Sequence, residues 1–407
     1  MSHFITNKHH TYDGDSAKRS LVDTVYTGEG IEAKLTKRVV NCSAAEHKER
    51  QSISGYENIF AHVLDSHLGA LSQLDVTREW GGLAAEVNTL ARDIDGYGTN
   101  YDVLLNRTAS RLLLDNEVWC FVNGKDTYGN ASIIEFPADI VINWNLDRTQ
   151  VVVRTKAKGT ADLKTGSVQE TEQYTLFTLE GAETFTRTGE SISKGSYTEF
   201  TNPYVNISGK PCLPIFKVSS PVSRYVQYTL AQNALKIYDA ESSLDFGLHQ
   251  NNFGFLYWPA EDEVFKKVVD SWKKGNRVFQ GEMNYTPTYV HPELNNAKQK
   301  MERIRERKEG FYRTAFQSLE RSAKMYQTAT SEAVERQDSK SAYLAAVASC
   351  MEEMETTALH LLAQVYYPNT PSKWNVSVEY PKEFDIPTIE VIQRGENAQK
   401  DTDNETN

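Results

Sequence analysis

Residues 292–365 constrain this chain more than any other stretch, because they read as two long helices with a polar break between them. The first begins at His291-Pro292-Glu293, where proline suits a first helical position and glutamate suits the positive end of the helix dipole. It carries Leu294, Ala297, Met301 and Ile304 on one stripe, among Lys298, Lys300, Glu302, Arg303, Arg305, Glu306, Arg307, Lys308 and Glu309. The second carries Leu344, Val347, Met351, Met354, Ala358, Leu361 and Val365, in the alternating three- and four-residue steps of a helix seam. Tyr326-Gln327-Thr328-Ala329-Thr330-Ser331 lies between them, polar and poor in strong helix formers. At about 1.5 Å per residue the first helix reaches ~40 Å and the second somewhat more. Rods of that length in an otherwise mixed chain are expected to need partners outside their own domain.

The 407 residues are enough for two or three domains. No apolar run approaches the length that spans a bilayer. Met1-Ser2-His3-Phe4 lacks the charged-then-apolar pattern of a signal peptide, so the chain is expected to stay in the cytoplasm where it is made. Cys42, Cys120, Cys212 and Cys350 are far apart and form no CxxC, so each reads as a small buried residue. A net charge of −11 argues against gripping nucleic acid over the whole surface. An acidic wall suits a conduit for DNA better than a clamp.

Residues 1–50 are polar without a sustained period and read as a mobile or surface-draped arm. Helices are expected over 54–76, from about Leu83 to Ile94, and from Tyr101 to Leu114, the last capped by Thr99-Asn100. Strand signals follow: Val118–Val122, stopped by Asn123-Gly124, then Phe136–Trp144, Val151–Arg154, Tyr174–Phe177, Thr184–Thr186 and Pro211–Phe216. Turns rich in Lys, Gly and Thr separate them, which predicts an antiparallel sheet. Helix returns from Tyr225 to about His249, then strands near Arg277–Phe279 and Thr288–Val290. After the seam helix, Trp374–Tyr380 reads as a short strand, and the tail from Arg394 is polar and acidic.

Catalytic signatures are scarce. There is no GxxxxGK[ST], no HExxH and no GxSxG. His62 and His67 are five apart, a poor spacing for two metal ligands on one helical face. Asp95-Gly96-Tyr97-Gly98 resembles half of a glycine-rich fingerprint, yet helices flank it. Acidic pairs such as Asp93/Asp95 and Glu352/Glu353 read as solvated faces before they read as acid–base pairs. Neither enzymatic activity nor a cofactor is expected. The charged block at 298–309 reads as an exposed helix laced with pairs such as Glu302–Arg305 and Arg305–Glu309. In a ring of identical copies, the same groups would pair between neighbours.

The order of elements resembles a known family. A helical region leads into Gly98-Thr99-Asn100-Tyr101 and a helix ending Leu112-Leu113-Leu114; Val118–Val122 and Phe136–Trp144 follow. Next come a long helix, a small β-containing insert, a second long helix, Thr328-Ala329-Thr330-Ser331-Glu332-Ala333 opening the seam helix, and Val376–Phe384 near the end. This is similar to the portal proteins of tailed bacteriophages, over roughly residues 55–390. The resemblance implies an α+β ring subunit with long stem helices, an antiparallel β-containing wing, a small α/β clip and a long seam helix. By residue, the wing is 1–223, with the arm to about 50. The stem helices are 224–250 and 292–318 around a clip at 251–291. A tunnel-loop region spans 319–340, and the seam helix, short crown and acidic tail span 341–407.

It further implies a homo-oligomeric ring, usually of twelve subunits, at a capsid vertex of the virion, assembled in the host cytoplasm. Double-stranded DNA would pass through in packaging and ejection. The terminase large subunit, a head-completion or adaptor protein and the major capsid protein would be its partners, with no membrane. Arg321, Lys324, Tyr326, Gln327 and Thr328 would form the tunnel loop, and Lys298, Arg303, Arg305 and Arg307 the charged stem. Phe255, Tyr257, Trp258, Glu261, Asp262 and Glu263 would form the clip surface that docks terminase or adaptor. The competing readings are another virion connector or scaffold protein, and a carboxylate-dependent hydrolase.

Overall fold

The computed structural model describes residues 2–36, 44–156, 171–200, 204–220, 225–251, 255–257, 288–290, 295–315, 329–382 and 384. These form a mixed α+β protein whose sheets are all antiparallel. The chain divides into two compact units, each assembled from separated segments. Unit 1 comprises Met1–Asp23, Ala61–Thr229 and Phe316–Asn407; unit 2 comprises Thr24–Phe60 and Leu230–Ala315.

In unit 1, β4 (Val141–Trp144), β5 (Gln150–Lys156), β6 (Glu172–Thr178), β7 (Gly181–Thr188) and β8 (Ser191–Glu199) form a five-stranded meander in that order. Side chains alternate across it with a period of two. Val151, Val153 and Phe177 join Trp119, Val141, Leu213 and Ile215 in one core cluster. Val152, Tyr174 and Phe185 join Ile5, Tyr12 and Ile142 in another. Both faces of β5 are therefore covered, which explains why Val151-Val152-Val153 is apolar without a break. A second sheet has the order β11-β2-β3, from β11 (Ile215–Ser219), β2 (Glu117–Asn123) and β3 (Ser132–Phe136). The helix α5 (Tyr101–Asp115) feeds β2, and Asn100 caps it by accepting the Val103 N–H at 2.8 Å. Asn116 then turns the chain with φ 61, a conformation asparagine tolerates better than most residues.

The described part of the expected arm, residues 2–36 and 44–50, is structured. It contains α1 (Tyr12–Thr27) and the start of α2 (Ala44–Ile53), with Ile5, Val22 and Val25 fully buried. The apolar positions are few and widely spaced, so the helical period is faint in the sequence. Among the described residues, the remaining α-helices are α3 (Ile59–Ser72), α4 (Val87–Arg92), α6 (Tyr225–Asn251), α7 (Asn295–Thr314) and α8 (Ala329–Tyr366).

The seam of α8 is not an open flank. Leu344, Val347, Met351, Met354, Ala358 and Leu361 are buried inside unit 1, where α8 meets α5, β2, β3 and β11; Val365 is half-buried. The expectation that the rods need partners outside their own domain fails for this face of α8, which its own unit covers. Its side is fixed by Glu355, whose side chain is 0% exposed. Tyr101 and Tyr380 donate their hydroxyls to Glu355 at 2.7 and 2.8 Å, and Arg78 ion-pairs with it. Burial beside that carboxylate pushes both tyrosine hydroxyls well up. Arg78 lies in β1 (Thr77–Glu79), which pairs with β14 (Ser377–Glu379). Gly81 and Gly82 follow; a Cβ on either would strike the backbone of Asn375 or Lys373, so this close approach requires glycine.

Candidate assembly and channel surfaces

Unit 2 holds the helices that the sequence assigns to a stem. Its inner face is built around a buried guanidinium. Arg50, 2% exposed, donates to the Ser242 hydroxyl at 2.8 Å, the Thr36 carbonyl at 3.0 Å, and both the carbonyl and carboxylate of Asp239 at 2.7 and 2.8 Å. Burial pushes the Asp239 carboxyl up, but hydrogen bonds from Thr36, and then from Arg50, hold it below its usual range. Tyr56 packs edge-on to Tyr238 and donates its hydroxyl to the Val25 carbonyl at 2.7 Å. Thr36, Arg50 and Tyr56 thus hold α6 at Tyr238, Asp239 and Ser242.

Along α7 and the residue that follows it, one stripe is buried: Ile304, Phe311 and Ala315, with Lys308 half-buried between them. These are four-, three- and four-residue steps, a single helical face. Lys308 reaches Glu57 at 2.5 Å and Glu241 at 2.7 Å. Burial disfavours its charge, but the two carboxylates outweigh that and raise its pKa. Arg307 donates to the Lys236 carbonyl at 3.3 Å.

The other faces of α7 are exposed and unlike one another. Lys300, Arg303 and Arg307 follow one another on one flank, with Glu306 at its border beside Arg303. Met301, Arg305 and Glu309 follow one another on the opposite flank, beside Lys298 and Glu302. Met301 is 57% exposed. Arg305 and Glu309 pair at 3.3 Å, as their spacing predicts. The helix holds seven basic residues (298, 300, 303, 305, 307, 308, 313) and three acidic ones (302, 306, 309), an excess of four positive charges in a chain whose net charge is −11. The four stem residues Lys298, Arg303, Arg305 and Arg307 all lie on this exposed surface.

Of the clip residues, Phe255 and Tyr257 lie in β12 (Phe255–Tyr257), which pairs with β13 (Thr288–Val290) in the register Phe255↔Val290 and Tyr257↔Thr288. Trp258, Glu261, Asp262 and Glu263 lie outside the described residues, as do Arg321, Lys324, Tyr326, Gln327 and Thr328. The start of α8 at Ala329 makes the second half of 319–340 helical.

Other residues weighed for chemistry have structural roles. The Asp93 carboxylate accepts the Gly96 and Gly98 N–H groups, and Asp95 accepts those of Tyr97 and Thr99, which shapes the loop ahead of α5. Glu352 accepts the Tyr380 N–H. Cys120 is fully buried, and burial pushes its thiol up. Among the described residues, no group of three or more His, Cys, Asp or Glu side chains is placed to hold a metal ion. No described helix is long and apolar enough to cross a membrane.

No protein-family profile and no curated protein matches the chain. Solved structures do match. A chain from the neck of an empty gene transfer agent particle is 12% identical, with 92% of each chain covered and a TM-score of 0.39. A chain from the virion of the native particle is 12% identical, covering 94% of this chain and 93% of that one at a TM-score of 0.38. An HK97-family phage portal protein from Corynebacterium diphtheriae is 7% identical, covering 79% of this chain and 91% of that one at a TM-score of 0.38. The solved structures to which this chain is similar thus include a phage portal protein and components of gene transfer agent particles.

Proposed function

We propose that the chain is the subunit of a portal ring, the channel at a capsid vertex through which double-stranded DNA is packaged and ejected. The order of its elements supports the reading, and one observation carries it: the asymmetric exposed surface of α7. A helix that buries one stripe and leaves two dissimilar flanks in water is suited to contact a neighbour on each side. A cationic flank facing a flank with carboxylates is a head-to-tail contact, the kind that closes into rings. In such a ring the copies stand at equal height, so Arg303 faces Glu302 and Arg307 faces Glu309 of adjacent copies. Clip residues such as Phe255 and Tyr257 would then serve the terminase and, later, an adaptor protein. A chain that is acidic overall, with net charge −11, keeps DNA mobile, because each neutralised phosphate would add salt-sensitive binding.

The charge swap tests this. Arg303→Glu with Arg307→Glu is expected to lower assembly by more than tenfold while the melting temperature of the subunit stays unchanged, since both side chains are exposed. Adding Glu302→Arg and Glu309→Arg to the same chain should restore rings. Light scattering and negative-stain imaging give the assembly state. A wild-type protein that stays monomeric at high concentration overturns the proposal. Lys324→Ala is expected to leave rings intact and alter packaging or retention of DNA; an unchanged packaged length removes it from the channel lining.

A further inference from the structure

Unit 1 contains a cluster of ionisable groups that the ring reading does not use. Arg19 of α1 donates to Asp139 at 2.9 Å and to Glu117 at 3.2 Å. Lys217 of β11 also pairs with Glu117, and Arg111 of α5 pairs with Asp115 at 3.6 Å and Glu135 at 3.3 Å. The side chains of Asp115, Glu117 and Glu135 are 4%, 4% and 7% exposed. Only Arg19 and Lys217 are comparably buried among the cations; Arg111 is 37% exposed. Asp23, one turn beyond Arg19 on α1, adds a further carboxylate that acts on Asp115. Acid therefore exceeds base in a space with little water.

The oxygens show the same imbalance. Asp115 Oδ1 and Glu135 Oε2 are buried and have no hydrogen-bond partner among the described residues. A protonated carboxyl would relieve this, because it loses its charge and becomes a donor. Asp115 is the stronger proton site. It ends α5, where the helix dipole is negative, and Asp23 and Asp139 repel its charge while Arg111 and Arg19 favour it.

We propose that one proton, held chiefly by Asp115, latches α1 onto the α5–β2 layer, so that the helix is held more tightly in mild acid than in mild base. The titratable groups facing the site are Arg19 and Asp23 from α1, Arg107 and Arg111 from α5, Glu117 from β2, Glu135 from β3, Asp139 from the turn after β3, and Lys217 from β11. Burial, then Asp23, pushes the Asp115 carboxyl up to about 7. The sign follows. A carboxyl raised above its ordinary value stabilises the closed form while it holds its proton, and that contribution is lost as pH rises through the folded value.

Hydrogen–deuterium exchange of peptides spanning 12–23 in the full-length protein tests this, after correction for the intrinsic pH dependence of exchange. Opening at pH 8 is expected to be about tenfold more frequent than at pH 6. Asp115→Asn should remove that dependence, and Asp23→Asn should move its midpoint to lower pH. Equal opening of the wild type at both pH values overturns the latch, as does an unaltered pH dependence in Asp115→Asn. Should Asp115→Asn fail to fold, an unshifted midpoint in Asp23→Asn overturns it by itself.

Discussion

Replacing Met351 and Met354 together by Asp is expected to stop the subunit from folding, and therefore to leave no protein from which rings could form. Both side chains are almost fully buried inside unit 1, at 3% and 2% exposure. Each Asp would place a carboxylate among Leu344, Val347, Ala358 and Leu361 on the same helical face. Burying an unpaired charge costs several kcal/mol, and two such sites exceed about 5 kcal/mol, the lower end of whole-domain stability. Soluble yield and far-UV circular dichroism read the outcome. A soluble double variant that melts like the wild type would show that this face of α8 is not core. The contrast with α7 is diagnostic: charge reversal there should change assembly and spare folding.

Glu355→Ala is the second large effect. The carboxylate is the shared acceptor for Arg78, Tyr101 and Tyr380. Its removal strands two buried hydroxyls and the partly exposed Arg78 cation, and breaking a buried pair from one side costs about 3–5 kcal/mol, an upper bound here because water reaches Arg78. The midpoint of urea unfolding should fall accordingly. Glu355→Gln is expected to cost less, because the amide oxygen can still accept from one partner, while the charge that balances Arg78 is gone. A midpoint within error of the wild type in Glu355→Ala would show that the tyrosines find other acceptors.

The sequence made the regular elements legible where one periodicity dominated. The run Val118–Val122, the seam of α8 and the Asn100 cap each carry an unambiguous local signal, and each is present. Meaning was harder to read than form. The α8 stripe looks identical whether it faces a neighbour or its own sheet, because helical spacing reports that a face is apolar and not what covers it. The polar strand β8, Ser-Ile-Ser-Lys-Gly-Ser-Tyr-Thr-Glu, was invisible because almost every residue is exposed and alternation has nothing to alternate. Its identity comes from pairing with β7. The buried charges Arg19, Arg50 and Glu355 were likewise hidden, since their partners lie far away in sequence: Glu355 is 277 positions from Arg78. On α7, by contrast, the Arg305–Glu309 pair was readable from spacing alone.

The joining of β1 to β14 has a consequence for biosynthesis. The strand Ser377–Glu379 is translated about 300 residues after its partner Thr77–Glu79. Tyr380, which completes the ring of donors around Glu355, comes later still. The unit that holds β1 thus cannot close until residues 377–380 have been made, and a nascent chain carries an incomplete core throughout that interval. Slow or interrupted translation past residue 330 would expose that unfinished edge to neighbouring nascent copies, before any of them has become a closed subunit.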